Sequence, residues 1–175
     1  ACAGCSNTTG KSNFFAGRLS GLSNTTGVYN TFIGSSTGRY NTFGNNNFFG
    51  GYNSGYNNTT GNNNTFIGAC AGYCNTTGGN NLFAGFCAGV SNTTGNYNTF
   101  IGACAGRVNT TGDRNFFAGQ IAGCSNTTGR FNTFIGSGAG SANSFGSSNT
   151  FIGFNAGTAS NRALFRCVRR CQSQR

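Results

Sequence analysis

Hydrophobic and polar positions repeat along this chain with a period of 17 residues, and the period holds through nine consecutive copies. Positions are described here by column: column n contains residue n and every 17th residue after it. Column 15 is Phe throughout, with Asn two residues before it and Gly two residues after it in every copy. A short fixed period is typical of proteins that stack one structural unit per repeat. The pattern therefore predicts a solenoid rather than a globule with a cleft.

Each copy combines glycine corners with short segments of β-forming residues. Gly recurs in columns 4, 10 and 17, and it can adopt the positive φ that tight corners need. Segments such as residues 30–33 lie between the corners and are rich in β-formers. We therefore predict an all-β fold, a parallel β-solenoid of about nine 17-residue coils with two or three faces. At about 4.8 Å per coil the rod is about 45 Å long.

Three columns are predicted to form ladders that run along the rod. Asn side chains can pass amide hydrogen bonds from coil to coil, and stacked Phe rings follow the same spacing. The first Asn ladder contains Asn7, Asn24, Asn41, Asn58, Asn75, Asn92, Asn109, Asn126 and Asn143. The second contains Asn13, Asn30, Asn47, Asn64, Asn81, Asn98, Asn115, Asn132 and Asn149. The Phe ladder contains Phe15, Phe32, Phe49, Phe66, Phe83, Phe100, Phe117, Phe134 and Phe151.

Seven Asn-Thr-Thr triplets in the first Asn column also match the N-glycosylation pattern. Glycans stacked about every 4.8 Å would collide. The structural ladder is therefore the favoured interpretation of these triplets.

Large and small residues exchange places on either side of the Phe column. The first copy has Phe14 and Ala16, the second has Thr31 and Ile33, and the two types alternate until the ninth copy repeats the second type. Strand side chains alternate between faces, so columns 13 and 15 are predicted to point inward and columns 14 and 16 outward. We expect the outward pair to face a partner, most simply another copy. The alternative is a flattened coil whose own long arm covers this face.

The repeat ends at Gly157, which divides the chain into a solenoid domain at 1–157 and a basic, Cys-containing segment at 158–175. In that segment Ser160 is a candidate N-cap, followed by apolar residues at Leu164 and Val168. We predict a short C-terminal helix that caps one end of the solenoid and hides an open strand edge.

The side-chain inventory argues against enzymes. Asp113 is the single carboxylate side chain of the whole chain, and there is no His. A general acid and a general base cannot both be assembled from these residues, and sites for hard metal ions need several carboxylates. We predict that the chain is not an enzyme, uses no cofactor or metal, and takes no small-molecule substrate.

The charge balance points to acidic partners. The formal net charge is +10, with a cluster of Arg near the C-terminus. Such a cluster attracts polyanions, for example an acidic polysaccharide or a cell surface. The candidate contacts are Arg162, Arg166, Arg169 and Arg170. The alternative is a solvated, repulsive end that limits aggregation. No apolar run approaches the ~20 residues of a transmembrane helix.

Nine cysteines favour an exported, oxidised protein, secreted or at the cell surface. Cys70, Cys87 and Cys104 share one column, and neighbouring coils bring such α-carbons within disulfide range, so two of these three are candidates for a coil-to-coil disulfide. Cys2 and Cys5 lie at the start, and Cys167 and Cys171 near the end. Head-to-tail stacking would bring these pairs together as intersubunit disulfides. The alternatives are that these cysteines form disulfides within one chain or stay free thiols, or that four thiolates bind a zinc ion.

The sequence Asn-Thr-Thr-Gly-x-x-Asn-Thr-Phe-Ile-Gly-x-x-Ala-Gly, present at residues 92–106 and 126–140, resembles the Asn/Thr/Gly repeats of bacterial surface proteins and phage tail-fibre shafts. The resemblance covers residues 1–157, and more distantly it extends to the heads of trimeric autotransporter adhesins. It implies an extracellular β-roll, often trimeric, that serves as a stalk or attachment surface. Phe in the strand and the abundant Cys set this chain apart from those families.

Three functions are predicted, in this order. The first is a structural subunit of an extracellular filament that assembles by head-to-tail stacking and lateral packing, with disulfides as an optional lock. The second is an adhesin or tail-fibre-type shaft that binds glycans or a cell surface. The third is ice binding, for which the Thr columns that begin at Thr8 and Thr9 supply a ladder. A repeat specifies architecture more strongly than activity.

Overall fold

The structure, a computed structural model, describes residues 2–158, and in this range the chain forms a parallel β-solenoid. Nine three-residue strands form one sheet in sequence order, and each residue pairs with the residue 17 positions along the chain. The strands β1 to β9 are Phe14–Ala16, Thr31–Ile33, Phe48–Gly50, Thr65–Ile67, Leu82–Ala84, Thr99–Ile101, Phe116–Ala118, Thr133–Ile135 and Thr150–Ile152. The predicted fold class is confirmed. The predicted C-terminal helix falls on residues outside the described range.

The interior of the coils consists of the Phe column and its neighbours. From Phe32 to Phe134 these rings are fully buried, and consecutive rings stack with centroids 4.7–4.9 Å apart. Small residues make room for them: Ala71 is buried in the same cluster, and a Cβ on Gly72 would overlap the ring of Phe66. The prediction that column 15 points inward is confirmed.

The first Asn column forms a continuous side-chain ladder with a fixed direction. Nδ2 of Asn24 donates to Oδ1 of Asn7 at 2.8 Å, and the same bond recurs at each of the next seven steps, ending with Asn143 donating to Asn126. Each of these amides also donates to the carbonyl of the Gly three residues later, as in Asn75 to Gly78. Because Asn24 and its successors are buried, the folded coil has no room for glycans on these side chains.

The second Asn column bonds chiefly to backbone. Oδ1 of Asn13 accepts the backbone N–H of Asn30 at 2.9 Å, while Nδ2 of Asn30 donates to the carbonyl of Gly44 at 2.8 Å. The two amide columns thereby satisfy buried donors and acceptors that the short strands leave unpaired. Both predicted Asn ladders are present, and the second differs from the first in its partners.

The corners differ in part from the prediction. Positive φ occurs at the glycines of columns 4 and 17, as expected, but also at non-glycine residues such as Tyr29 and Cys87. The column 10 glycines do not have positive φ, so their assignment as left-handed corners is wrong. Glycine is needed there for space instead. A Cβ on Gly61 would overlap the side-chain oxygen of Asn58 and the carbonyl of Gly78 in the next coil.

Candidate functional site

The outer face of the sheet, formed by columns 14 and 16, is the main apolar surface of the described residues. Phe14 is 57% exposed and Ile152 is 55% exposed, and the large residues between them, apart from the more buried Leu82, are exposed by 37–46%. The prediction that these columns point outward is confirmed. The alternative, in which a long arm of the same coil covers this face, is wrong, because these side chains stay exposed.

Each large residue on this face leans over its small neighbour. A Cβ placed on Gly50 would lie 3.6 Å from Cε1 of Phe48, so the Phe ring covers the Gly position. Along the rod Gly50 lies between Ile33 and Ile67, its register partners in the adjacent strands. The ring and the two Ile side chains therefore follow one another along column 16 and form an apolar ridge that lacks any charge.

The coil-to-coil contact is a second candidate surface, because it has the same chemistry at every step. In column 14 the backbone N–H of each strand donates to the next coil, as from Thr133 to Asn149 at 2.8 Å. In column 17, directly after each strand, the backbone N–H of the glycine donates to the preceding coil, as from Gly136 to the carbonyl of Ala118 at 2.7 Å. Every internal junction therefore pairs its donors and acceptors in the same direction along the rod.

The cysteines are arranged differently from the prediction. Cys2 and Cys5 form a disulfide with each other, so neither can reach Cys167 or Cys171 of a second copy unless that bond is reduced or exchanged. Cys167 and Cys171 lie outside the described residues, and the end-to-end disulfides stay a prediction.

The predicted disulfide within the column of Cys70, Cys87 and Cys104 is not formed, because all three are free thiols. Burial raises the pKa of the Cys87 thiol, and the neighbouring Cys70 and Cys104 thiols raise it further. Burial also raises the pKa of Cys74. A raised thiol pKa leaves less thiolate at neutral pH, so these groups are poor nucleophiles.

A cluster of aromatic and basic side chains was not foreseen from the sequence. The rings of Tyr56 and Tyr73 stack at 4.8 Å, Tyr40 meets Tyr56 edge-on at 5.2 Å, and Nη1 of Arg39 donates to the hydroxyl of Tyr56 at 3.1 Å. Nε of Arg39 is buried without a partner. Partial burial, and then the hydrogen bond with Tyr40, raises the pKa of Tyr56. Tyr at the same column in consecutive repeats could have indicated the stack.

The two Thr columns divide their roles. Oγ1 of Thr25 donates to the carbonyl of Thr42 at 3.1 Å and is half-buried, whereas Thr26 is exposed. Most coils repeat this arrangement, so only the column that begins at Thr9 presents hydroxyls to solvent. The ice-binding hypothesis rests on this single ladder and stays a prediction.

Asp113 is engaged in the solenoid. Its Oδ1 accepts the backbone N–H of Asn96 at 2.7 Å, and its Oδ2 lies 3.6 Å from Nε of Arg130. Within residues 2–158 no three metal-ligating side chains come together. No helix long and apolar enough to cross a membrane occurs in that range. The basic residues Arg162, Arg166, Arg169 and Arg170 lie outside it.

Comparisons with protein-family models, with curated proteins and with solved structures returned no match for this chain. The functional assignment therefore depends on the surfaces described above.

Proposed function

We propose that this chain is a structural subunit of an extracellular filament that grows by stacking the last coil of one copy on the first coil of the next. One observation carries the proposal: every coil junction uses the same directional hydrogen bonds. A junction between two copies can repeat bonds of the internal junctions such as that from the N–H of Thr133 to Asn149 and the amide bond from Asn24 to Asn7. Parallel strands that continue across copies are the basis of stable cross-β fibres.

The apolar face and the cysteines support an assembly outside the cell. Exposed apolar strips of this length mark contact surfaces in soluble proteins. The disulfide between Cys2 and Cys5 fits an oxidising compartment, where disulfides persist.

The end-to-end contact can be tested with one substitution in β9. By the direction of the ladder, the N–H of Thr150 points away from β8, toward the place that a tenth strand would occupy. Thr150→Pro removes this donor and adds ring atoms at the outward edge, without breaking an internal ladder bond. We expect wild-type protein to form filaments in electron micrographs, and Thr150→Pro to shorten them severalfold.

Thr150→Ala is the matched control, because it changes the side chain but keeps the N–H, and it should form filaments of wild-type length. Circular dichroism and a melting curve show whether both variants fold. Monodisperse wild-type particles in non-reducing buffer, or wild-type filament length in folded Thr150→Pro, would contradict the proposal.

A shaft that binds glycans or a cell surface is the second candidate, favoured by the cluster of Arg39, Tyr56 and Tyr73. Aromatic faces beside a guanidinium suit stacking against sugars and contact with acidic groups. Wild-type protein on a glycan array, compared with Tyr73→Ala, tests this function. Binding that survives high salt and is lost in the variant supports it, and absence of binding to any glycan counts against it.

A further inference from the structure

We propose that the outer face of the sheet binds the same face of a second copy in a parallel dimer, with a two-fold axis along the rod. The dimer goes beyond the end-to-end growth proposed above and does not depend on it. The proposal starts from a size rule that holds inside each strand.

In every strand, one of the two outer residues is large and the other is small. β1, β3, β5 and β7 have Phe or Leu first and Ala or Gly second, whereas the other five strands have Thr first and Ile second. β9 breaks the alternation between neighbouring strands, since it has the same type as β8. β9 nevertheless has one large and one small outer residue, as every other strand does. The size pairing within a strand is therefore the more general pattern of the two.

A two-fold axis along the rod uses this rule directly. It keeps the two copies at the same height and reverses the strand direction, so that column 14 of one copy lies opposite column 16 of the other. In β3, Phe48 of each copy then lies opposite Gly50 of the other, and in β4, Thr65 lies opposite Ile67. Large residues meet small ones at all nine levels, as close packing between two sheets requires.

An antiparallel arrangement fits less well. With all nine strands overlapped, it would place β1 opposite β9 and β3 opposite β7, so that Phe48 would meet Phe116. Avoiding that clash requires a shift by one coil, and the shift that matches every overlapped level leaves β9 of each copy without a partner strand. The parallel dimer needs no shift.

The residues that flank the strands obey the same size rule. Column 12 lies two positions before each strand, and the column that begins at Arg18 lies two positions after it. No strand has an aromatic residue at both flanks. Aromatic residues are exposed before β2, β6 and β8 (Tyr29, Tyr97 and Phe131) and after β3, β5 and β9 (Tyr52, Phe86 and Phe154). The two-fold axis places each of them opposite Ala, Ser or Asn.

Charge and area also favour a second copy. Columns 14 and 16 contain no charged residue in a chain of net charge +10, so no two like charges meet across these two columns. Arg18 lies opposite Ser12, and Arg114 lies opposite Gln120. Nine strands span about 40 Å, and the seven positions from column 12 to the column that begins at Arg18 span about 20 Å, which gives on the order of 800 Å². Each partner of a standard protein–protein interface buries about this area.

Substitutions in β7 test the dimer and its register. Ala118→Ile makes both outer residues of β7 large, so Phe116 of each copy meets the introduced isoleucine of the other at two symmetric places. Phe116→Thr with Ala118→Ile converts β7 to the type found in β8 and β9 and restores the match. Thr94→Ile places the same isoleucine side chain at an exposed Thr outside the face and serves as the control. Sedimentation equilibrium in reducing buffer measures the dimer, in a Thr150→Pro background that weakens end-to-end growth.

We expect a dimer for the parent protein and for Thr94→Ile, about a tenfold to hundredfold weaker dimer for Ala118→Ile, and near-parental affinity for the double variant. A monomer or trimer of the parent protein would overturn the two-fold pairing. Parental dimer affinity in Ala118→Ile would overturn the register. So would a folded double variant whose dimer is as weak as that of Ala118→Ile. These results are independent of filament length in the proline test, so either proposal can fail alone.

Discussion

Single residues in this fold are selected by backbone conformation and by the space above and below them. The Phe and Asn columns could be predicted from the sequence because each is uninterrupted and consists of one residue type. The left-handed backbone in column 12 and in the column that begins at Cys2 could not be predicted. Ser, Tyr, Cys, Leu, Ile and Asn all occur at these positions. Neighbouring coils impose this conformation, and the residue type does not reveal it.

The least suited of these residues is Ile121, which has φ of 53°. A β-branched residue in the left-handed region costs about 1–2 kcal/mol, whereas Asn adopts it readily. We expect Ile121→Asn to raise the free energy of unfolding by about 1 kcal/mol, measured by denaturant titration. Ile101→Asn is the matched control, since Ile101 is also 41% exposed but lies in β6. A gain in the control, or none in Ile121→Asn, would contradict this explanation.

The structural element that repeats is a coil with one three-residue strand, and its remaining residues form corners and amide bonds. Alternation around Phe predicted the inward and outward faces of the strand correctly. The role of the column 10 glycines was missed, because two causes select glycine and the sequence does not separate them. Gly72 needs both a left-handed backbone and room for a ring, whereas Gly61 needs only room.

The spatial role of Gly61 leads to a direct comparison with Gly50. A methyl group at Gly61 would overlap backbone and amide oxygens of its own coil and the next, and we expect Gly61→Ala to lower the free energy of unfolding by about 2–3 kcal/mol. Gly50→Ala adds the same methyl group where the nearest atom lies 3.6 Å away and where other coils have Ala. It should change stability by less than about 0.5 kcal/mol. Equal effects of the two substitutions in chemical denaturation would refute the assignment.

At the scale of the whole molecule, the coils form a stack whose sides and ends differ in chemistry. The outer face is apolar and its residues alternate in size, whereas the contacts between coils are made by N–H, C=O and amide groups. The rod and its apolar face could be predicted from the 17-residue period. The Tyr56–Tyr73 stack was missed although both residues share a column, and the Cys2–Cys5 bond could not be predicted, because it depends on side-chain placement within one coil rather than on the repeat.

The stacking of residue i over residue i+17 underlies every surface described above. Wide-angle X-ray scattering from the concentrated, purified protein tests it most directly. Ring centroids of Phe32 and Phe49 lie 4.8 Å apart, and nine parallel strands in register repeat at about this spacing along the rod. We predict a strong reflection at about 4.8 Å, oriented along the long axis in aligned samples. A pattern without this reflection, or one in which it lies across the long axis, would contradict the stacked coil.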